Sequence, residues 1–111
     1  MVTVTKTDSI CVIDVPYSSI DLDALETIRS EAEKLFDENY NQIIMNLENI
    51  HYLSSTGLGL LVYLNNKCNE KAGYFAICGL QDYTMDMMKL TKLDAVINIF
   101  NTKEEAIAGI S

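Results

Sequence analysis

The chain reads as an α/β domain with a mixed, mostly parallel sheet and helices mainly on one side. Three observations predict this. Short apolar runs of strand length alternate with longer segments whose apolar residues recur at helical spacing. The first two runs are separated only by Thr7-Asp8-Ser9, a hairpin-like turn, so one strand pair is antiparallel while the later strands need helical crossovers. No linker, repeat or low-complexity segment interrupts the 111 residues, of which 49% are hydrophobic. One domain spanning residues 1–111 is expected.

The elements follow in order. Val2 to Thr7 and Ser9 to Val15 are the hairpin strands, the second nearly all apolar and closed by Pro16, which lacks the N–H that a ladder needs. Leu22, Leu25, Ile28, Ala32, Leu35 and Phe36 mark the apolar stripe of a first helix, with Ser19 or Asp21 as its cap and Asn39-Tyr40-Asn41 as its stop. Ile43 to Leu47 is a third strand. Leu58, Leu61, Val62, Asn65 and Cys68 stripe a second helix that ends near Gly73. Tyr74 to Cys78 is a fourth strand, apolar on both faces, and Gly79 turns the chain. Tyr83 to Leu93 reads as a third helix with Met85, Met88 and Leu93 as its contacts. Val96 to Phe100 is the last strand. Thr102 then caps a fourth helix, with Glu105 completing a capping box.

Net charge is −8 and unevenly spread: residues 1–55 hold ten acids against three bases. Nucleic acid and anionic membrane are therefore poor partners. No apolar run reaches membrane-span length, and the first residues do not form a signal sequence. Cys11, Cys68 and Cys78 are widely spaced and odd in number, as expected of reduced, buried thiols in a cytoplasmic protein. Cys68 and Cys78 are candidates for mutual contact.

Catalytic equipment is sparse. His51 is the sole histidine and has no sequence-near partner for a triad or a metal set. Asp82 and Asp86, one turn apart, suit a solvated helix start better than an acid site. No catalytic residue, metal or cofactor is expected. The informative stretch is Leu53-Ser54-Ser55-Thr56-Gly57-Leu58-Gly59, where three hydroxyl residues run into a helix start. A phosphate added there would meet unpaired backbone N–H groups and the positive end of the helix dipole. Capping is the simpler use of such residues. Met87, if exposed near this loop, would offer an adaptable docking contact.

The segment from Gln42 through Leu53-Ser54-Ser55-Thr56-Gly57-Leu58-Gly59 to Leu61 resembles the signature of the STAS domain, the anti-sigma factor antagonist family. Leu90 to Val96 resembles the family's Thr/Ser-Gly-Leu segment, and Ile99 to Ala106 its ending. The resemblance implies a partner-switching, non-enzymatic protein. Ser55 matches the phosphorylated serine, with Ser54 and Thr56 as secondary acceptors. Asp21, Asp23, Ser54, Ser55, Thr56, Gly57, Leu58 and Gly59 form the implied partner-binding set, which Met87 joins as the adaptable contact read above. The implied partners are an anti-sigma factor with a histidine-kinase-like ATPase fold, which phosphorylates the serine, and a serine phosphatase that reverses the mark. Three positions depart from the pattern: Ser54 replaces the usual aspartate, Lys92 replaces a common glycine, and Val15 to Asp21 lacks the usual Gly-x-Leu/Ile-Asp form. A STAS scaffold without phosphorylation and a small-ligand-binding STAS domain are the alternative uses.

Overall fold

The computed structural model describes residues 1–110; the expected domain end at Ser111 lies outside the described residues. Five strands form one sheet in the order β1-β2-β3-β4-β5: β1 (Thr3–Thr7), β2 (Ile10–Asp14), β3 (Gln42–Asn46), β4 (Tyr74–Cys78) and β5 (Asn98–Phe100). The β1–β2 pair is antiparallel, and the remaining three pairs are parallel. The helices are α1 (Leu22–Asp37), α2 (Ser55–Glu70), α3 (Asp82–Leu90) and α4 (Lys103–Ala108). Each crossover from β2 onward steps to the adjacent strand in the same direction. With right-handed connections this sends α1, α2 and α3 to one face.

The alternation of side chains sorts the core accordingly. Cys11, Ile13, Ile43, Met45, Phe75 and Ile77 point to the three-helix face, where they pack with Ile28, Leu35, Leu61, Leu64, Cys68 and Met88. Val12, Ile44, Ala76 and Cys78 point the other way, onto Ala106 of the short α4. The expected contact between Cys68 and Cys78 is therefore not made. Strand period places Cys78 on the α4 face, while α2 holds Cys68 on the opposite face.

Helix ends follow local chemistry. Asp21, not Ser19, caps α1 by accepting the Ala24 N–H at 2.9 Å. α1 closes with Asn39 at φ +69° while Tyr40 N–H reaches back to the Leu35 carbonyl at 2.8 Å. α2 closes the same way with Ala72 at φ +56°, and Gly73 N–H bonds the Cys68 carbonyl at 2.7 Å. A side chain on Gly73 would collide with the Asn41 backbone, so glycine is required by close approach.

Two boundaries differ from expectation. α3 stops at Leu90 because the Thr91 hydroxyl turns back onto the Met87 carbonyl at 2.8 Å and Lys92 adopts φ +62°. Leu93–Ala95 then forms one 3₁₀ turn, and Ile97 N–H bonds the Leu93 carbonyl at 2.9 Å. That turn takes Leu93 from the expected helix, and its closing bonds from the Val96 and Ile97 N–H groups to the Leu93 carbonyl hold those two residues out of the expected last strand, which shortens to three residues and leaves Val96 exposed. The fourth helix takes the Thr102 cap as read, its Oγ1 accepting the Glu105 N–H at 3.1 Å, while the Glu105 side chain reaches one residue beyond the capping-box position, to the Asn101 N–H at 3.1 Å.

Candidate functional site

The loop between β3 and α2 is fastened from below. Leu47, Ile50 and Leu53 are buried pegs. The N–H groups of His51 and Tyr52 both donate to the Ser18 carbonyl, at 2.8 and 3.2 Å, which ties this loop to the one before α1. His51 itself is exposed. Ser54 adopts extended backbone geometry and its Oγ accepts the Gly57 N–H at 3.4 Å, making it the cap of α2.

Ser55 is the first residue of α2 and is exposed, as is Thr56. Gly57 is buried, and a Cβ there would stand 2.7 Å from Leu53 Cδ1 and 3.5 Å from Ile20 Cβ. Its missing side chain leaves room for the buried Leu53 side chain beneath the first turn of α2, while Ile20 is at ordinary contact distance. Gly59 is the opposite case: a Cβ would meet nothing within 4 Å. The exposed side of α2 is therefore bare one turn beyond Ser55. Leu58 is half-buried and packs on the core.

Between α1 and α2 lies an open furrow of about 360 Å³, lined by Leu22, Leu25 and Arg29 on one side and by Ser55, Thr56, Gly59, Leu60 and Tyr63 on the other. Leu22, read as part of the apolar stripe, is 66% exposed and stands at the furrow mouth. Its stripe position is sound for a helix, but it is the first residue of α1, directly after the Asp21 cap. Further along, Arg29 lies over the Tyr63 ring, 4.7 Å from its centroid, and its Nε donates to Glu33 Oε1 at 3.3 Å. Tyr63 Oη donates to the same oxygen at 3.2 Å.

Asp21 and Asp23 are exposed beside this furrow, in a concavity of about 320 Å³ with Tyr17, Ser18, Ser19, Ala24 and Thr27. Asp21 is engaged as a helix cap; Asp23 follows in the first turn. Met87 is half-buried on α3. It stands one turn after Tyr83, whose ring stacks on that of Tyr52 with centroids 6.0 Å apart. Leu90, 78% exposed, continues that row. The Tyr52–Tyr83 stack thus joins the loop before Ser55 to the α3 face bearing Met87. Sequence reading missed Tyr52, Tyr83, Leu90, Tyr63 and Arg29. An exposed apolar residue gives no periodic signal distinct from a buried one, so spacing alone did not reveal the row on α3.

Among the described residues, no group of three or more His, Cys, Asp or Glu side chains is placed to hold a metal ion. No described helix is long and apolar enough to cross a membrane. Asp82 and Asp86 are both exposed, and Asp82 sits in the first turn of α3, as a solvated helix start requires.

Comparison with known proteins gives a consistent result. A Thermotoga maritima protein assigned as an anti-sigma factor antagonist is 25% identical over 78 residues, covering 70% of this chain and 69% of that protein. A crystal structure of a Thermotoga maritima protein assigned as an anti-sigma factor antagonist superposes with a TM-score of 0.88 at 18% identity, covering 98% of this chain and 93% of the other. The Bacillus cell fate determinant SpoIIAA, solved in its phosphorylated form, superposes with a TM-score of 0.77 at 21% identity over the full length of both chains. The STAS domain profile matches residues 1–106. The chain belongs to the STAS domain family.

Proposed function

We propose that this STAS domain is an anti-sigma factor antagonist of the cytoplasm. It docks a histidine-kinase-like anti-sigma factor over the start of α2, and phosphorylation of Ser55 ends the docking. The observation that carries this reading is the placement of an exposed Ser55 on an open, partly apolar furrow, with Gly59 leaving the approach clear. Leu22 and Leu25 supply apolar surface to a partner; fully burying a leucine is worth roughly 1.5–3 kcal/mol. Asp21 and Asp23 offer carboxylates to a basic contact, and Met87 with Tyr83 extends the surface across α3. A phosphate on Ser55 carries about −1.5 to −2 charges. Burying it against an apolar or acidic partner costs several kcal/mol, enough to lower affinity by about a hundredfold or more. The fold survives the charge because the first turn of α2 carries no acid to oppose it. A serine phosphatase would restore the docking form.

The resemblance to SpoIIAA in its phosphorylated form supports this reading on the same fold. The deciding experiment is incubation with the kinase-like anti-sigma factor and ATP, followed by intact mass and site mapping. One phosphate on Ser55 is expected. No modification of Ser54, Ser55 or Thr56 would overturn the phosphorylation cycle.

One observation favours a second reading, a STAS interaction module without that cycle. Ser54 stands where the family signature carries aspartate, and it serves as a cap. In that reading the same surface binds a partner constitutively. Equal partner affinity of wild type and the Ser55→Asp variant would favour it.

A further inference from the structure

Arg29 is the only arginine in the chain, and among the described residues it is the only cationic side chain lining the furrow onto which Ser55 opens. The two helices run in the same direction, because α1 and α2 leave the same ends of the parallel strands β2 and β3. Leu22 and Ser55 therefore mark one end of the furrow, and Arg29 and Tyr63 the other. Residues 22 and 29 are separated by about 10 Å along the helix axis. The Arg29 side chain now holds Glu33 one turn further along and lies over Tyr63, so reaching Ser55 takes a rotation back toward the start of α1, the direction in which a helical Cα–Cβ bond tilts. Gly59 lies on α2 between them, and the space over it is empty.

Arg29 is lightly held where it is. Its partner Glu33 is at 3.3 Å, both side chains are about half exposed, and the pair is of the i,i+4 kind that solvent screens. A phosphate dianion with three acceptor oxygens competes well against one carboxylate oxygen for a guanidinium, whose planar fork matches phosphate geometry.

We propose that Arg29 is an internal receptor for the phosphate of phosphorylated Ser55, leaving Glu33 and crossing over Gly59 to close the apolar furrow from within. The proposal rests on Ser55 being the modified residue. Phosphorylation then acts twice: it places charge at the docking surface, and it draws a side chain across the space that Leu22, Leu25 and Gly59 hold open. The covered furrow, and not charge alone, excludes the partner. Release of the phosphate returns Arg29 to Glu33 and Tyr63.

The test uses full-length protein carrying phosphoserine installed at position 55 during translation, so no kinase is needed. The phosphate is titrated by ³¹P NMR in wild type, Arg29→Gln, Arg29→Lys and Lys71→Gln. A neighbouring cation favours the dianion, so the wild-type midpoint is expected below that of Arg29→Gln by roughly half a pH unit or more. Arg29→Lys is expected in between, and Lys71→Gln, which removes a cation at the far end of α2, is expected to match wild type. Equal midpoints for wild type and Arg29→Gln would overturn the proposal, as would an equal shift in Lys71→Gln. Binding to the anti-sigma factor separates this from the underlying reading. Phosphorylated wild type that binds as well as the unmodified protein would overturn Ser55 as a switch, whatever the titration gives. With the switch intact, phosphorylated Arg29→Gln is expected to recover about tenfold in affinity over phosphorylated wild type; no recovery would overturn the closing of the furrow.

Discussion

Ser54 and Gly57 are joined across the first turn of α2: Ser54 Oγ accepts the Gly57 N–H at 3.4 Å, while the neighbouring Ser55 is exposed. Two adjacent serines thus have different duties. One closes the helix, and the other faces the furrow. Adding a phosphate to Ser54 would displace a cap, whereas adding it to Ser55 leaves the cap in place.

That division has a thermodynamic signature. Ser54→Ala is expected to lower stability by about 1 kcal/mol, within the range of roughly 0.5–2 for a lost serine cap. Ser55→Ala is expected to change it by no more than about 0.5 kcal/mol, as for most exposed positions. Chemical denaturation of the two variants beside wild type checks the difference.

Gly59 offers the complementary case. Helix interiors favour alanine over glycine by about 0.5–1 kcal/mol, and a Cβ here meets nothing. Gly59→Ala is expected to raise stability by about that amount. Gly59→Leu is expected to fold normally yet to weaken anti-sigma factor binding by about tenfold or more, because its side chain would stand in the space a partner needs. Calorimetric titration against denaturation data separates folding from docking.

Lys92 carries backbone strain that a glycine would relieve. It sits at φ +62° between α3 and the 3₁₀ turn, in the left-handed region where a Cβ costs roughly 1–2 kcal/mol. Part of that gain is offset by the extra freedom of glycine in the unfolded chain. Lys92→Gly is expected to stabilise by up to about 1 kcal/mol and raise the melting temperature by a few degrees, read by thermal unfolding.

Burial gives the protein an alkaline weakness. Desolvation pushes the Cys68 thiol up from 9.0 to about 12. Between those values the unfolded chain releases the thiol proton while the folded protein keeps it. The folded state then binds more protons, so stability falls as pH rises through this window and is complete below pH 9. A single retained proton gives a slope of about 1.4 kcal/mol per pH unit. Denaturation at several alkaline pH values is expected to show a smaller slope in Cys68→Ala than in wild type. Cys68 is also expected to resist thiol reagents at pH 8 until the chain unfolds.

Most of the architecture was legible because it rests on period and punctuation. Strand runs such as Tyr74–Cys78 and stripes such as Ile28-Ala32-Leu35 have few other structural readings, and Asp21, Ser54 and Thr102 announce their helices by chemistry. The boundaries around Leu90 to Ile97 were not legible. They depend on a side-chain bond from Thr91 and on a left-handed Lys92, neither of which changes the apolar pattern. The same limit hid part of the surface. Leu22 reads as core because it fits the stripe, yet it is the first residue of α1 and is exposed. Tyr52 and Tyr83 meet across 31 residues, a pairing that local spacing cannot anticipate. Arg29 gave no signal because its neighbours on α2 are distant in sequence.

The most direct test of the switch is calorimetric titration of the anti-sigma factor with unmodified protein and with protein phosphorylated at Ser55. The unmodified form is expected to bind at least about a hundredfold more tightly, a difference of roughly 2.8 kcal/mol. Equal affinities for the two forms would contradict a docking surface controlled by that hydroxyl.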